Sequence, residues 1–239
     1  MATNFPLSFS RLRGFSEENL KKLHDELRVK NYDEHSGIGF RDIYCNQQYL
    51  TARIIKREPT FILQYDPISN EITNREIFIF SDFKFGVDVE YELIELYGPA
   101  KNYSKLMSAL LPFFPSKVRI EAVNIAPCII LPKLIQKSVL LGVEKLVIND
   151  FEYQEGIIGR YDMRITQVDL AQEFIKKYAF QVTNAQVLIE VKDFGSVKLS
   201  LSSNGHASVK CSEEDLPVVL DFLKPFLFSV NLPLGGEYA

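Results

Sequence analysis

Hydrophobic periodicities of two and of 3.6 residues follow one another in the same order twice along this chain of 239 residues. That order restricts the architectures open to it more than any motif does. In the second copy Tyr161, Met163 and Ile165 alternate with Arg160, Asp162 and Arg164, the pattern of a half-buried strand. Leu170, Phe174, Ile175 and Tyr178 then share one helical face, with Asp169 placed to cap it. Val187, Ile189 and Val191 alternate again, Asp193-Phe194-Gly195 supplies a turn, and Val197, Leu199 and Leu201 continue as a second strand. Ser203-Asn204-Gly205-His206 predicts a tight hairpin, because Asn-Gly tolerates the positive φ angles it needs. The chain returns through Ala207, Val209 and Cys211. Ser212 and Asp215 have capping-box spacing, and Leu216, Val219, Leu220 and Leu223 make the stripe of a closing helix that Pro225 kinks or ends.

The first copy is longer. Phe5, Leu7 and Phe9 alternate with polar residues, and Ser16 caps a helix with the stripe Leu20, Leu23 and Leu27. Four or five strands are expected between Ile38 and Leu96, then a helix from Tyr103 to Phe113, a strand from Val118 to Ile125 and a short helix from Ile129 to Ser138. The reading is an α+β chain of two lobes, each a mainly antiparallel sheet with helices on one face, in a repeated β-α-βββ-α order. The lobes are placed at 1–115 and 116–239. The boundary falls between Pro115 and Gly156, where no linker rich in Gly, Ser or Pro marks it.

At 46% hydrophobic and 24% charged residues the chain can bury one large core or two modest ones. Cys45, Cys128 and Cys211 lie far apart with no CxxC spacing, which suits buried thiols in a reducing compartment. The apolar segment Ile120 to Val143 carries Glu121, Pro127, Pro132, Lys133 and Lys137, which excludes a membrane span, and the N-terminus lacks the basic-then-apolar order of a signal peptide. A soluble cytoplasmic protein is expected. Eighteen Phe and eleven Tyr without a Trp leave many large rings to bury, so a homodimer formed through an apolar patch is expected as well.

The formal net charge is −4, so bulk charge does not announce a nucleic-acid binder. Placement matters more. If Ile165, Val187, Val197 and Val209 face the helices, the opposite sheet face collects Arg160, Arg164, Lys192, Lys198 and Lys210, opposed by Asp162 and Glu190. Such a face suits phosphates, where each neutralised charge releases a counterion. Its bland counterpart is a solvated sheet face whose lysines discourage edge pairing.

Little in the chain points to catalytic chemistry. His24, His35 and His206 have no metal-ligand spacing, there is no nucleophile elbow or phosphate-binding glycine loop, and Gly98 to Ser104 reads as a turn. Glu90, Glu92 and Glu95 read as an exposed strand face. One enzymatic alternative is a metal-dependent nuclease that places Glu190-Val191-Lys192 on a strand and takes a second metal ligand from Asp162. The order helix, three strands, helix after Val168 is that of a double-stranded RNA-binding domain, but Ser212-Glu213-Glu214-Asp215 would repel phosphates where that module needs cations.

Several segments, in order, resemble RexA, the phage exclusion protein, and more distantly the KwaB component of the Kiwa anti-phage system. They are Tyr97-Gly98-Pro99 before a helix, Val118-Arg119-Ile120-Glu121, Leu141-Gly142, a strand with Asp162 leading to Ile175-Lys176-Lys177, and two strands ending in Asn204-Gly205-His206. The resemblance covers residues 97–228. It implies an α/β protein of bacterial anti-phage defence, of the abortive-infection kind, dimeric, able to bind DNA, and acting with a partner that is often a membrane protein. No catalytic motif carries over with it. The expectation is a non-enzymatic defence or regulatory protein that binds DNA or a protein partner and needs no cofactor.

Overall fold

The computed structural model describes residues 3–228 apart from 69, 124, 193, 204 and 205. The chain is α+β with mainly antiparallel strand pairing, and it divides into two compact units, Phe9–Glu121 and Met1–Ser8 with Ala122–Ala239. The first eight residues thus cluster with the C-terminal part, whereas the 1–115 assignment puts them with the N-terminal lobe. Strand β1 (Thr3–Arg13) contributes its beginning to one unit and its end to the other.

In the unit Phe9–Glu121, β1 is followed by α1 (Glu17–Val29), β2 (Ile38–Cys45), β3 (Tyr49–Asp66), β4 (Glu71–Asp88), β5 (Leu93–Tyr97), α2 (Tyr103–Leu110) and β6 (Arg119–Ala122). Ser16 and Asn19 exchange hydrogen bonds at the start of α1, a capping box that satisfies two orphan amides. Helix α2 gives way to a single 3₁₀ turn at Leu111–Phe113, shorter than the expected helix because Pro112 has no amide to donate. The sheet runs β2-β3-β4-β5-β1. Leu50, Ala52, Ile54, Phe83, Phe85, Val87, Ile94 and Leu96 point to one face and pack with Leu20, Leu23 and Leu27 of α1 and Leu106, Met107 and Leu110 of α2. Both helices therefore cover the same face. Gly39 is required on β2, since a Cβ there would lie 2.1 Å from the Tyr32 Cα.

Two expectations change here. The four strands β2 to β5 fall within the four or five expected but exceed the three of the repeat, and between the copies the expected β6 and α3 (Pro127–Gln136) are joined by β7 (Leu140–Gln154), which was not expected. Glu95 is fully buried, while Glu90 and Glu92 sit in the β4–β5 turn, so the three carboxylates do not form an exposed strand face. The Glu95 carboxylate accepts hydrogen bonds from the Tyr49 hydroxyl, at 3.1 Å, and from that of Tyr97. Gly86 leaves the room this needs, because a Cβ would lie 2.7 Å from the Tyr49 hydroxyl oxygen. Burial first, and then the Glu95 charge, push both tyrosine pKa values well above their ordinary value near 10.

The second unit adds α3 (Pro127–Gln136), β7 (Leu140–Gln154), β8 (Ile157–Ile165), α4 (Val168–Tyr178), β9 (Val182–Val191), β10 (Gly195–Ser202), β11 (Ala207–Cys211) and α5 (Leu216–Phe228). From β8 onward this is the expected order. The sheet runs β1-β11-β10-β9-β7-β8, so β7 inserts between β8 and β9. Helix α3 packs on β9, and α4 packs on β7 and β8. The first backbone bond of α4 runs from the Ala171 amide to the Gln167 carbonyl, so Gln167 holds the N-cap position and Asp169 lies within the first turn. Ser202 donates its amide to the His206 carbonyl to close the β10–β11 hairpin. The expected turn residues Asn204-Gly205, like Asp193 of the β9–β10 turn, lie outside the described residues.

Candidate nucleic-acid interface

Alternation along β8 to β11 decides which side chains share a face. Ala185, Val187, Ile189 and Val191 of β9 are buried with Val197, Leu199 and Leu201 of β10 and Val209 of β11. The other face then carries Gln186, Leu188 and Glu190 on β9, Ser196, Lys198 and Ser200 on β10, and Ser208 and Lys210 on β11. On β8, Ile165 is buried and the exposed Arg160, Asp162 and Arg164 point away from it. Of the five expected cations, Arg160, Arg164, Lys198 and Lys210 thus project from this outer face. Lys192 is exposed in the β9–β10 turn.

Lys198 and Lys210 stand directly opposite each other in the β10–β11 register. Such a pair sits about 5 Å apart at Cβ, and like charges at that spacing are destabilising. Glu144 relieves it in part by pairing with Lys198. Lys145 pairs with Asp162 at 2.8 Å. Sequence reading missed both Glu144 and Lys145. The register shift between Val143 and Leu146 brings the two consecutive side chains onto the outer face, and a strict alternation cannot show that. Among the described residues the face and its turn hold six cations, Lys145, Arg160, Arg164, Lys192, Lys198 and Lys210, against three carboxylates, Glu144, Asp162 and Glu190, while Asp193 of the same turn lies outside them. Arg160, Arg164, Lys192 and Lys210 have no ion pair among the described residues.

From β8 across β7, β9 and β10 to β11 is four strand spacings, about 19 Å, or the length of roughly six base pairs. Ser196, Ser200, Ser208 and Gln186 lie between the cations and are side chains that hydrogen-bond phosphate oxygens. No aromatic ring projects from β9, β10 or β11 on this face among the described residues, so no stacking platform for bases is present there.

The nuclease triplet separates. Asp162 is opposite Val147, and Val147 is opposite Asn184, so Asp162 is level with Asn184 and two strands away from β9. Glu190 is six residues further along β9, which puts the two carboxylates about 20 Å apart. No group of three His, Cys, Asp or Glu side chains suited to a metal occurs among the described residues. Glu190 and Lys192 instead border an open cavity of about 480 Å³, with Val139, Phe194 and Phe222 supplying its apolar wall. No described helix is long and apolar enough to cross a membrane. Neither a protein-family model nor a curated protein sequence matches the chain.

Proposed function

We propose that this protein is a non-enzymatic binding protein that lies along nucleic-acid phosphates through the outer sheet face of its C-terminal unit. The observation that carries the reading is the direct opposition of Lys198 and Lys210 within a face that has five cations against three carboxylates among the described residues. Like charges held side by side cost stability in the free protein, and a polyanion bound across them offsets that cost. Serine, glutamine and lysine without aromatic rings suit contacts to phosphate and sugar, so binding is expected to be independent of sequence. The segments that resemble RexA and KwaB support the same reading, and we extend it on that ground to a role in anti-phage defence with a protein partner beside the DNA.

The test is a salt titration of duplex DNA binding by the intact chain. The four cations without an ion pair imply a log–log slope of about −3 to −4, at about 0.9 per neutralised phosphate. Changing Lys198→Gln and Lys210→Gln together flattens it by between about one and two units, less than two because Glu144 already holds Lys198. Equal slopes for both proteins, or no binding at 20–50 mM salt, would remove the proposal.

A further inference from the structure

The β3–β4 hairpin continues well past the sheet that supports it. Its 18 consecutive pairs run from Tyr49↔Asp88 to Asp66↔Glu71 without a register shift. On the β3 side, β2 stops pairing at Lys56, and on the β4 side, β5 stops at Lys84. Beyond Arg57, whose amide still bonds to the Gly37 carbonyl, and beyond Lys84, the hairpin is a two-stranded ribbon that pairs with no further strand among the described residues. Lys105 of α2 holds its base by bonding to Glu58 and, at 3.0 Å, to Ser81.

Register separates the two faces of the ribbon. The face on the helix side alternates polar and apolar groups: Glu58 opposite Ile79, Ile62 opposite Arg75, Gln64 opposite Thr73. The other face is a continuous apolar strip, in which Arg57 opposes Phe80, Pro59 opposes Phe78, Phe61 opposes Glu76, Leu63 opposes Asn74 and Tyr65 opposes Ile72. Its six large apolar side chains are between 48% and 74% exposed. At about 200 Å² for a large side chain, they present roughly 700 Å² of apolar surface. That exceeds the largest apolar patch usual on a monomer, about 300–600 Å², and matches the share of about 800 Å² that one partner brings to a standard interface. A bare two-stranded ribbon is only marginally stable in water, which is a second reason for this strip to be covered.

We propose that this strip is an interaction surface that takes a second copy of the same chain. Its two charges, Arg57 and Glu76, are of opposite sign, so two strips related by a twofold axis meet with no net charge to bury, and each brings the counter-charge of the other. Arg57 already stacks on Phe78, with its guanidinium carbon 4.4 Å from the ring centre, which shields it within an apolar contact. A lipid surface fits less well. The ribbon ends in the carboxylate pair Asp66 and Glu71, which insertion tip-first would drive into the acyl layer. The proposal stands independently of the phosphate-binding face.

The experiment is sedimentation equilibrium of the full chain from 1 to 100 µM in 300 mM salt, where phosphate contacts play no part. The wild type is expected to be dimeric at 10 µM, and Leu63→Lys and Tyr65→Lys, each tested singly, are expected to weaken the dimer at least 100-fold. Both positions lie far from the core of the unit, and unchanged circular dichroism and melting of the variants at the concentration where the wild type is monomeric shows that they fold. Gln64→Lys, on the opposite face, is expected to leave the dimer intact. A wild type that is monomeric at 100 µM overturns the proposal, whatever heterologous partner or lipid then covers the strip. So does a dimer that survives both Leu63→Lys and Tyr65→Lys.

Discussion

Gly39→Ala is the sharpest perturbation of the unit that carries the ribbon. Gly39 lies on β2 opposite Ile55, and the backbone of Tyr32 crosses over it so closely that a Cβ would fall 2.1 Å from the Tyr32 Cα and 2.2 Å from its nitrogen. Carbon contacts settle near 3.5–4.0 Å, so the two backbones must part by about 1.5 Å. Neither is a flexible side-chain end, and the motion strains what the crossing segment holds. The Phe40 amide donates to the Lys30 carbonyl at 2.9 Å, Asn31 bridges to Phe40, and the Tyr32 ring meets Phe80 edge-on at 6.5 Å. Overpacking costs about 1–3 kcal/mol, the hydrogen bond about 1 and the ring pair about 0.5–1.5. The steric cost and the lost contacts partly substitute for each other, so the total is taken as about 3 kcal/mol. For a chain of this length that is a fall in Tm of about 6–12 °C. Thermal melts followed by circular dichroism measure it, with Gly142→Ala as the control, since no atom lies within 4 Å of a Cβ built there. A Gly39→Ala protein that melts within about 1 °C of wild type would refute the crossing of Tyr32 over β2.

Two further outcomes follow from groups already described. Ser16→Ala removes one half of the α1 capping box and is expected to cost about 1 kcal/mol in urea unfolding, whereas Ser16→Asp retains most of it, and equal losses for both would argue against the cap. Tyr49 and Tyr97 have pKa values raised by burial and by Glu95, so folding favours their protonated forms. Their contribution to stability is complete below the unfolded value near 10 and is lost as pH rises above it toward the folded values. Absorbance at 295 nm should accordingly show a late-titrating tyrosine phase whose amplitude falls in the Tyr49→Phe, Tyr97→Phe protein to that of Tyr103, which burial also raises, and an undiminished late phase in that protein would contradict the assignment.

Much of the second unit is legible in its residues because the signals there are local. A period of two tells which side of a strand a residue faces wherever that strand goes, so Arg160 and Arg164 could be assigned to one face with Lys198 and Lys210 before any pairing was known. Capping at Ser16 is equally local, depending on Asn19 three positions away. Neighbours across a sheet are a different matter, since they follow from pairings between distant segments. Placing β7 between β8 and β9 is what carries Asp162 away from Glu190, and the bulge in β7 is what supplies Glu144 to Lys198. Burial of Glu95 needed Tyr49, 46 residues earlier, and the room left by Gly86. The apolar strip on β3 and β4 also escaped local reading: the segment is dense in Phe and Ile on both strands, and only the 18-pair register, together with where β2 and β5 stop, shows which of those side chains share an uncovered face. Alternation is written in the chain; adjacency is decided by long-range pairing, which sequence periodicity does not encode.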